Sequence, residues 1–236
     1  GPTELIGAYA MGAPLPPLGS GATGLSDVFW YVPASSNIRS MQEAADKTIG
    51  HSTNGSSTNI ALLGLLDHYR VKAKPTATGP APATFTAVMS GQIDIGYSAA
   101  PFGLAELEQG KIRIIARGNE VPGSDRKTVR LLVTNIATLQ NRKDAVARFV
   151  QAYRDTVEWM YADPAAPKMF ADMAGIALPI AVRVGTEFYS KTMLDPDRVL
   201  GMDANASDAL AFKFITQALT QQQLVDLVQV PPPLPH

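Results

Sequence analysis

Residues 47–78, KTIGHSTNGSSTNIALLGLLDHYRVKAKPTAT, read as strand, polar turn, helix and strand in succession. The β-branched start marks a short strand over 47–52. An apolar helix pattern follows from about 57 to 69, and a weaker strand over 71–78. Two strands joined through a helix lie parallel, with a right-handed crossover. The turn between is over-supplied. One capping residue satisfies a helix start, yet this one crowds hydroxyls and amides around Gly55. Free N–H groups in a first helical turn point outward and carry partial positive charge, worth about 0.3–1 kcal/mol to an anion and ~2 kcal/mol when partly buried. The surplus is expected to meet a ligand at the carboxyl end of the strand. The same letters also fit an ordinary polar cap on an exposed loop.

The logic repeats downstream. PAPATFTAVMSG (80–91) is expected to be a helix ending at Gly91, QIDIGYS (92–98) a strand, PFGLAELEQG (101–110) a helix and KIRIIAR (111–117) a strand. Upstream, DVFWYVPAS (27–35) reads as a strand and SMQEAAD (40–46) as a short helix. TVRLLVTNIATL (128–139) reads as another strand. The alternation predicts a mainly parallel sheet. From Asn141 on, the pattern is helical, with Val146, Phe149, Val150, Tyr153, Val157 and Met160 on one face, a helix over AVRVGTEFYSKTML, and Ser207 and Asp208 capping SDALAFKFITQALTQQQL. Extended segments near 27–36 and 129–138 bracket the middle block. That predicts a two-lobed clamshell with two crossover strands: lobe one from 1–36 and 130–236, lobe two from 37–129.

Composition narrows the function. The chain has 236 residues, 46% hydrophobic and 17% charged, with net charge −1. No basic stripe suits a nucleic-acid groove, and no apolar run is long enough for a membrane span. With no cysteine, disulfides, thiolate metal sites and cysteine nucleophiles are excluded. His51, His68 and His236 are isolated, so no zinc site is expected, and no cofactor either. GSGATG (19–24) spells a dinucleotide fingerprint, but prolines precede it and a strand follows, so a flexible turn is expected. GYSAA (96–100) approximates a nucleophile elbow around Ser98. An elbow needs a downstream histidine, and the one after Ser98 is the terminal His236; a pocket wall is the better reading. Phe29, Trp30 and Tyr31 must alternate faces, one into the core and another available to line a cleft. Phe102 follows the second loop, where it either covers a planar ligand or packs in the core. Thr3 reads as the cap of a short helix over 3–10, with Pro2 suited to a first helical position.

VFWYVPASSNIRSMQEAADKTIGHSTNGSSTN and AVMSGQIDIGYSAAP together resemble the solute-binding proteins of nitrate/sulfonate/taurine ABC importers, a group that includes the thiamine-pyrimidine type. The likeness covers most of 1–140. It implies a type II periplasmic-binding-protein α/β clamshell with a helical C-terminal block. It also implies a periplasmic location and a membrane permease as partner. A small polar or anionic organic solute would sit between the lobes, with no chemistry performed. Thr3 and Glu4 would meet it from lobe one; Ser52, Gly55, Ser56, Ser57, Thr58, Ser98 and Phe102 from lobe two. GPTELIGAYAMGAP (1–14) resembles a later piece of lobe one, so an earlier section of that lobe is expected outside this sequence, as is a signal peptide. The alternative is an enzyme on the same fold, resembling the menaquinone-pathway dehydratase and cyclase or the pyrimidine synthase, with His51 and Glu4 as acid–base candidates.

Overall fold

The computed structural model describes residues 1–13 and 15–235; Pro14 and the tail's His236 lie outside the described residues. In chain order its elements are α1 (Pro2–Ala10), β1 (Pro17–Thr23), β2 (Val28–Pro33), β3 (Thr48–His51), α2 (Ser57–Tyr69), β4 (Lys74–Ala77), α3 (Ala81–Met89), β5 (Gly96–Ala99), α4 (Leu104–Glu108), β6 (Ile112–Arg117), β7 (Thr128–Val133), α5 (Ile136–Asn141), α6 (Lys143–Ala162), α7 (Ala166–Ala174), α8 (Leu178–Arg183), α9 (Met202–Ala211) and α10 (Gln221–Leu227). The chain divides into unit 1, comprising Gly1–Gly24, Arg126–Ala166 and the chain from Ser190 on, and unit 2, comprising Leu25–Asp125 and Pro167–Tyr189. Residues 25–36, read from sequence with lobe one, thus group with unit 2, as do residues 167–189.

Unit 2 is organised by β2. This strand pairs antiparallel with β5 on one edge and β6 on the other, in the order β5-β2-β6. β3 and β4 pair in parallel, and a parallel bridge between Ile49 and Ile95 ties β3 towards β5. The expected parallel sheet therefore holds for β3, β4 and β5, while the strand between β5 and β6 runs against them. Sheet paired on both edges and covered on both faces needs a continuous apolar run, and VFWYV supplies one. Phe29, Trp30 and Tyr31 are all fully buried, so none lines a cleft. Phe29 and Tyr31 pack with Val88, Leu104, Ile112, Val184 and Phe188. Trp30, on the other face, donates its indole N–H to the Gly50 carbonyl at 3.1 Å. Gly96 is required opposite Tyr31, because a Cβ there would lie 2.5 Å from the Tyr31 Cζ. At the far end, the Asp94 carboxylate accepts from the Thr48 N–H (2.9 Å) and hydroxyl (2.8 Å), fastening the start of β3 to the approach of β5.

Unit 1 pairs β1 with β7 in an irregular antiparallel register. GSGATG lies in this pairing, and a strand replaces the expected turn. Gly19 suits it because a Cβ would stand 2.9 Å from the Pro196 carbonyl, to which Ser20 donates its N–H at 2.8 Å. Leu5 and Ile6 of α1 pack on Met202, Ala206 and Ala209 of α9 and Leu224 and Leu227 of α10. Leu18 meets Val146 and Val150 of α6.

Several boundaries differ from the sequence reading for local reasons. β7 stops at Val133 because Asn135 caps α5, accepting from the Thr138 N–H at 2.8 Å. α9 begins after Gly201, whose φ is +64°, so Ser207 and Asp208 lie inside a helix rather than at its cap; Asp208 pairs with Lys127. Residues 184–188 form a π-helical turn that ends the expected long helix, and residues 41–43 form only a 3₁₀ turn. Pro2 does take the first helical position of α1, but Thr3 is buried within it and caps nothing.

Candidate functional site

Three turns of unit 2 leave the carboxyl ends of β3, β4 and β5, the edge of a parallel arrangement where ligands bind. The first carries the hydroxyls singled out in the sequence. The Ser52 Oγ donates to the Ser56 Oγ at 2.8 Å and lies 2.9 Å from the Thr58 Oγ1, which is 3.0 Å from the Ser56 Oγ. The ring is anchored twice to backbone. The Ser52 N–H donates to the Thr58 Oγ1 at 3.0 Å, and the Asn59 N–H to the Ser56 Oγ at 3.2 Å, making Ser56 the cap of α2. Gly55 takes φ +80°, which only glycine adopts without strain, and its N–H donates to the Asn59 Oδ1 at 2.9 Å. Ser57 opens α2 and is partly exposed. The surplus of small polar groups is therefore a closed hydroxyl ring above a helix start.

The second turn is bonded to the first. Thr78 donates its N–H (2.9 Å) and hydroxyl (3.1 Å) to the His51 carbonyl, and the Gly79 N–H donates to the Ser52 carbonyl at 3.0 Å. The Thr78 and Thr84 hydroxyls are 2.6 Å apart. The Tyr97 phenol donates to the Gly79 carbonyl at 2.6 Å. Burial pushes that phenol's pKa up, against the opposing pull of hydrogen bonds with Ser52 and Thr84. Tyr97, Thr78, Thr84 and Gly79 were missed in the sequence. TATGP (76–80) held the signal: threonines and a glycine just past a strand end.

His51 closes the floor of the first turn at 1% exposure. Burial lowers its imidazole pKa, opposed by a hydrogen bond with the Thr53 backbone, and Nδ1 has no hydrogen-bond partner among the described residues.

The third turn is built differently. Ser98 is buried, and its Oγ donates to the Phe102 carbonyl at 2.8 Å. Its proton is committed to shaping the turn, which disfavours a nucleophile elbow. A buried Asp27, not singled out in the sequence, braces the same turn. The Tyr189 phenol donates to the Asp27 Oδ2 at 3.0 Å and to the Ala100 carbonyl at 3.2 Å, and the Ala100 N–H donates to the Asp27 carbonyl at 3.0 Å. Phe102 is 58% exposed and so is not core. In unit 1, Thr3 is buried in α1, and Glu4, half exposed, pairs with the amine of Gly1. Among the described residues, no group of three or more His, Asp or Glu side chains is placed to hold a metal ion, and no single helix is long and apolar enough to cross a membrane.

The sequence model of the NMT1/THI5-like family matches residues 3–166. No curated protein matches the chain in sequence. Among solved structures, the periplasmic aliphatic sulphonate binding protein SsuA of Escherichia coli is 17% identical, with a TM-score of 0.69 over 99% of this chain and 75% of its own. The alkanesulfonate-binding protein SsuA of Xanthomonas axonopodis pv. citri, bound to MOPS, is also 17% identical, with a TM-score of 0.71 over 96% of this chain and 78% of its own. The desulfurization enzyme DSZB is 16% identical, with a TM-score of 0.65 over 94% of this chain and 80% of its own. The fold is thus that of the periplasmic binding proteins, α/β and two-lobed.

Proposed function

Since the chain belongs to the NMT1/THI5-like family, we propose that it is the solute-binding component of an ABC importer. It captures a small polar or anionic organic solute in the periplasm and delivers it to a membrane permease. The observation that carries this reading is the convergence, in unit 2, of hydroxyls from β3, α2, β4, α3 and β5 at one sheet edge. Such groups orient a ligand without reacting with it. The sulfonate-binding neighbours support the same role. Ser52, Gly55, Ser56, Ser57, Thr58, Ser98 and Phe102 line or shape the site in this reading, and Thr3 and Glu4 are its unit 1 candidates.

Trp30 gives the test. Its indole is bonded to the carbonyl of Gly50, one residue before His51. Titration of the full chain with organic sulfonates, nitrate, carboxylates and aminopyrimidines is expected to change Trp fluorescence saturably for at least one class. No saturable change with any of them overturns the assignment.

The likeness to DSZB keeps an enzyme on the same fold as the second reading. The 236-residue sequence has no cysteine, so none of its own residues supplies a thiolate. His51 is the acid–base candidate of unit 2, and it is enclosed. Mass spectrometry of each ligand after incubation separates the two: an unaltered ligand marks a receptor, a product an enzyme.

A further inference from the structure

We infer, resting on the solute-binding reading, that the head group held by unit 2 is uncharged and offers both hydrogen-bond donors and acceptors, as a carboxamide does. A sulfonate or carboxylate head does not suit it.

Two observations carry this. The first is the supply of charge. Residues 48–69 and 75–110, which contain all three turns, include no lysine or arginine. Three arginines elsewhere in unit 2 are engaged by other groups. The Arg117 guanidinium lies 4.9 Å over the Phe188 ring and 3.9 Å from Glu187. Arg183 pairs with Glu187 at 2.9 Å and approaches Glu108 at 3.8 Å. Arg113 donates to the carbonyls of Ala34, Ser36 and Ile38. An anion at these turns is stripped of water and meets, from the turns themselves, hydroxyls and the partial charge of the α2 N-terminus but no full counter-charge.

The second is the arithmetic of the hydroxyl ring. Ser52, Ser56 and Thr58 hold one proton per oxygen and bond to one another in a triangle. Opening one link frees a donor and an acceptor together. An amide-type head, carrying both, closes the circuit again; a sulfonate, an acceptor only, takes the proton and leaves an oxygen unmatched. His51 gives an independent sign that this turn binds something. It is 1% exposed, directly precedes Ser52 of the ring, and keeps an Nδ1 without a hydrogen-bond partner among the described residues.

The test uses matched pairs on one carbon skeleton, benzenesulfonate with benzenesulfonamide and benzoate with benzamide, together with their propyl counterparts. Calorimetric titration of the full chain at low and tenfold higher salt measures each. The uncharged member is expected to bind at least about tenfold more tightly, with a Kd that moves less than about twofold with salt because no exposed ion pair is formed. Ser57→Lys, at the start of α2, is expected to reverse the preference by about tenfold through the added charge. A wild-type chain that prefers the anion overturns this inference and leaves the solute-binding reading standing. So does a Ser57→Lys chain with unchanged preference. If no member of any pair binds, this inference falls, and the solute-binding reading falls with it only when nitrate and the aminopyrimidines also fail to bind.

Discussion

In unit 1, the buried polar groups act as ties. Thr23 and Thr128 both donate to the Arg198 carbonyl, at 2.8 and 3.1 Å. The nearly buried Arg154 holds Asp197 at 2.7 Å and also donates to the Pro231 carbonyl, pinning the proline-rich tail. The Thr23 hydroxyl also bonds those of Ser20 (3.0 Å) and Thr128 (2.8 Å), an open chain that ends on the Arg198 carbonyl, whereas in unit 2 Ser52, Ser56 and Thr58 close into a ring within one turn. The contrast separates two uses of the same chemistry. A tie has one partner set and resists exchange. A ring of hydroxyls keeps its donors and acceptors interchangeable, so a ligand can enter the pattern.

The largest expected effect probes the frame that holds those turns. Gly96→Val forces side-chain atoms into Tyr31, whose Oη would be 2.7 Å from even a single added Cβ. Overpacking of this kind costs about 3 kcal/mol, read as a lower urea midpoint with loss of any ligand response. A neutral outcome breaks the claim that β2 organises unit 2.

Next, Arg154→Met removes the tie of unit 1. Asp197 is 45% exposed and stays solvated, so the cost is about 2 kcal/mol, below that of a fully buried pair. Faster protease trimming of the tail after Pro231 is the accompanying sign.

Ser56→Ala tests both sides of the contrast at once. Loss of the α2 cap costs about 1 kcal/mol of stability, and opening the ring should weaken ligand binding by more than stability alone explains. Equal loss of binding in a cap-restoring Ser56→Asp chain would show that the ring, rather than the helix end, matters. Ser98→Ala should cost about 1 kcal/mol by freeing the Phe102 carbonyl, and weaken binding less than Ser56→Ala does; abolished turnover with unchanged stability would favour the enzyme reading.

The smallest effect is the pH dependence of His51. Its folded pKa is lowered by burial from the ordinary 6.5, so the unfolded chain binds the proton more readily. Stability is fully present above that value and declines as the pH falls below it, levelling off beneath the folded pKa. His51→Gln should flatten this part of the stability-versus-pH curve.

Much of the architecture is written locally. α2 begins at Ser57 and ends at Tyr69, as the periodicity indicates, because its cap and its apolar face are encoded within it. What escapes is set by distant partners. The glycines at 19 and 21 read as a turn, since nothing nearby reveals that β7, over a hundred residues later, pairs with them. The direction of β2 is equally invisible, for an apolar run fits either orientation. The candidate site divides the same way. The turn at 52–58 is conspicuous as one crowded segment, whereas Thr78, Thr84 and Tyr97 join it from separate segments and look ordinary alone. Asp27 precedes β2 and braces a turn some seventy residues onward, a relation without a spacing to betray it.

The chain changes unit at Gly24–Leu25, Asp125–Arg126, Ala166–Pro167 and Tyr189–Ser190. No single cut can therefore release either half intact. During synthesis, β1 waits for β7 to emerge, and the Phe29–Tyr31 cluster waits for Phe188. Each core is completed late, by residues made after most of the other half already exists. Genetic separation of the halves calls for stitched, rejoined segments rather than truncation.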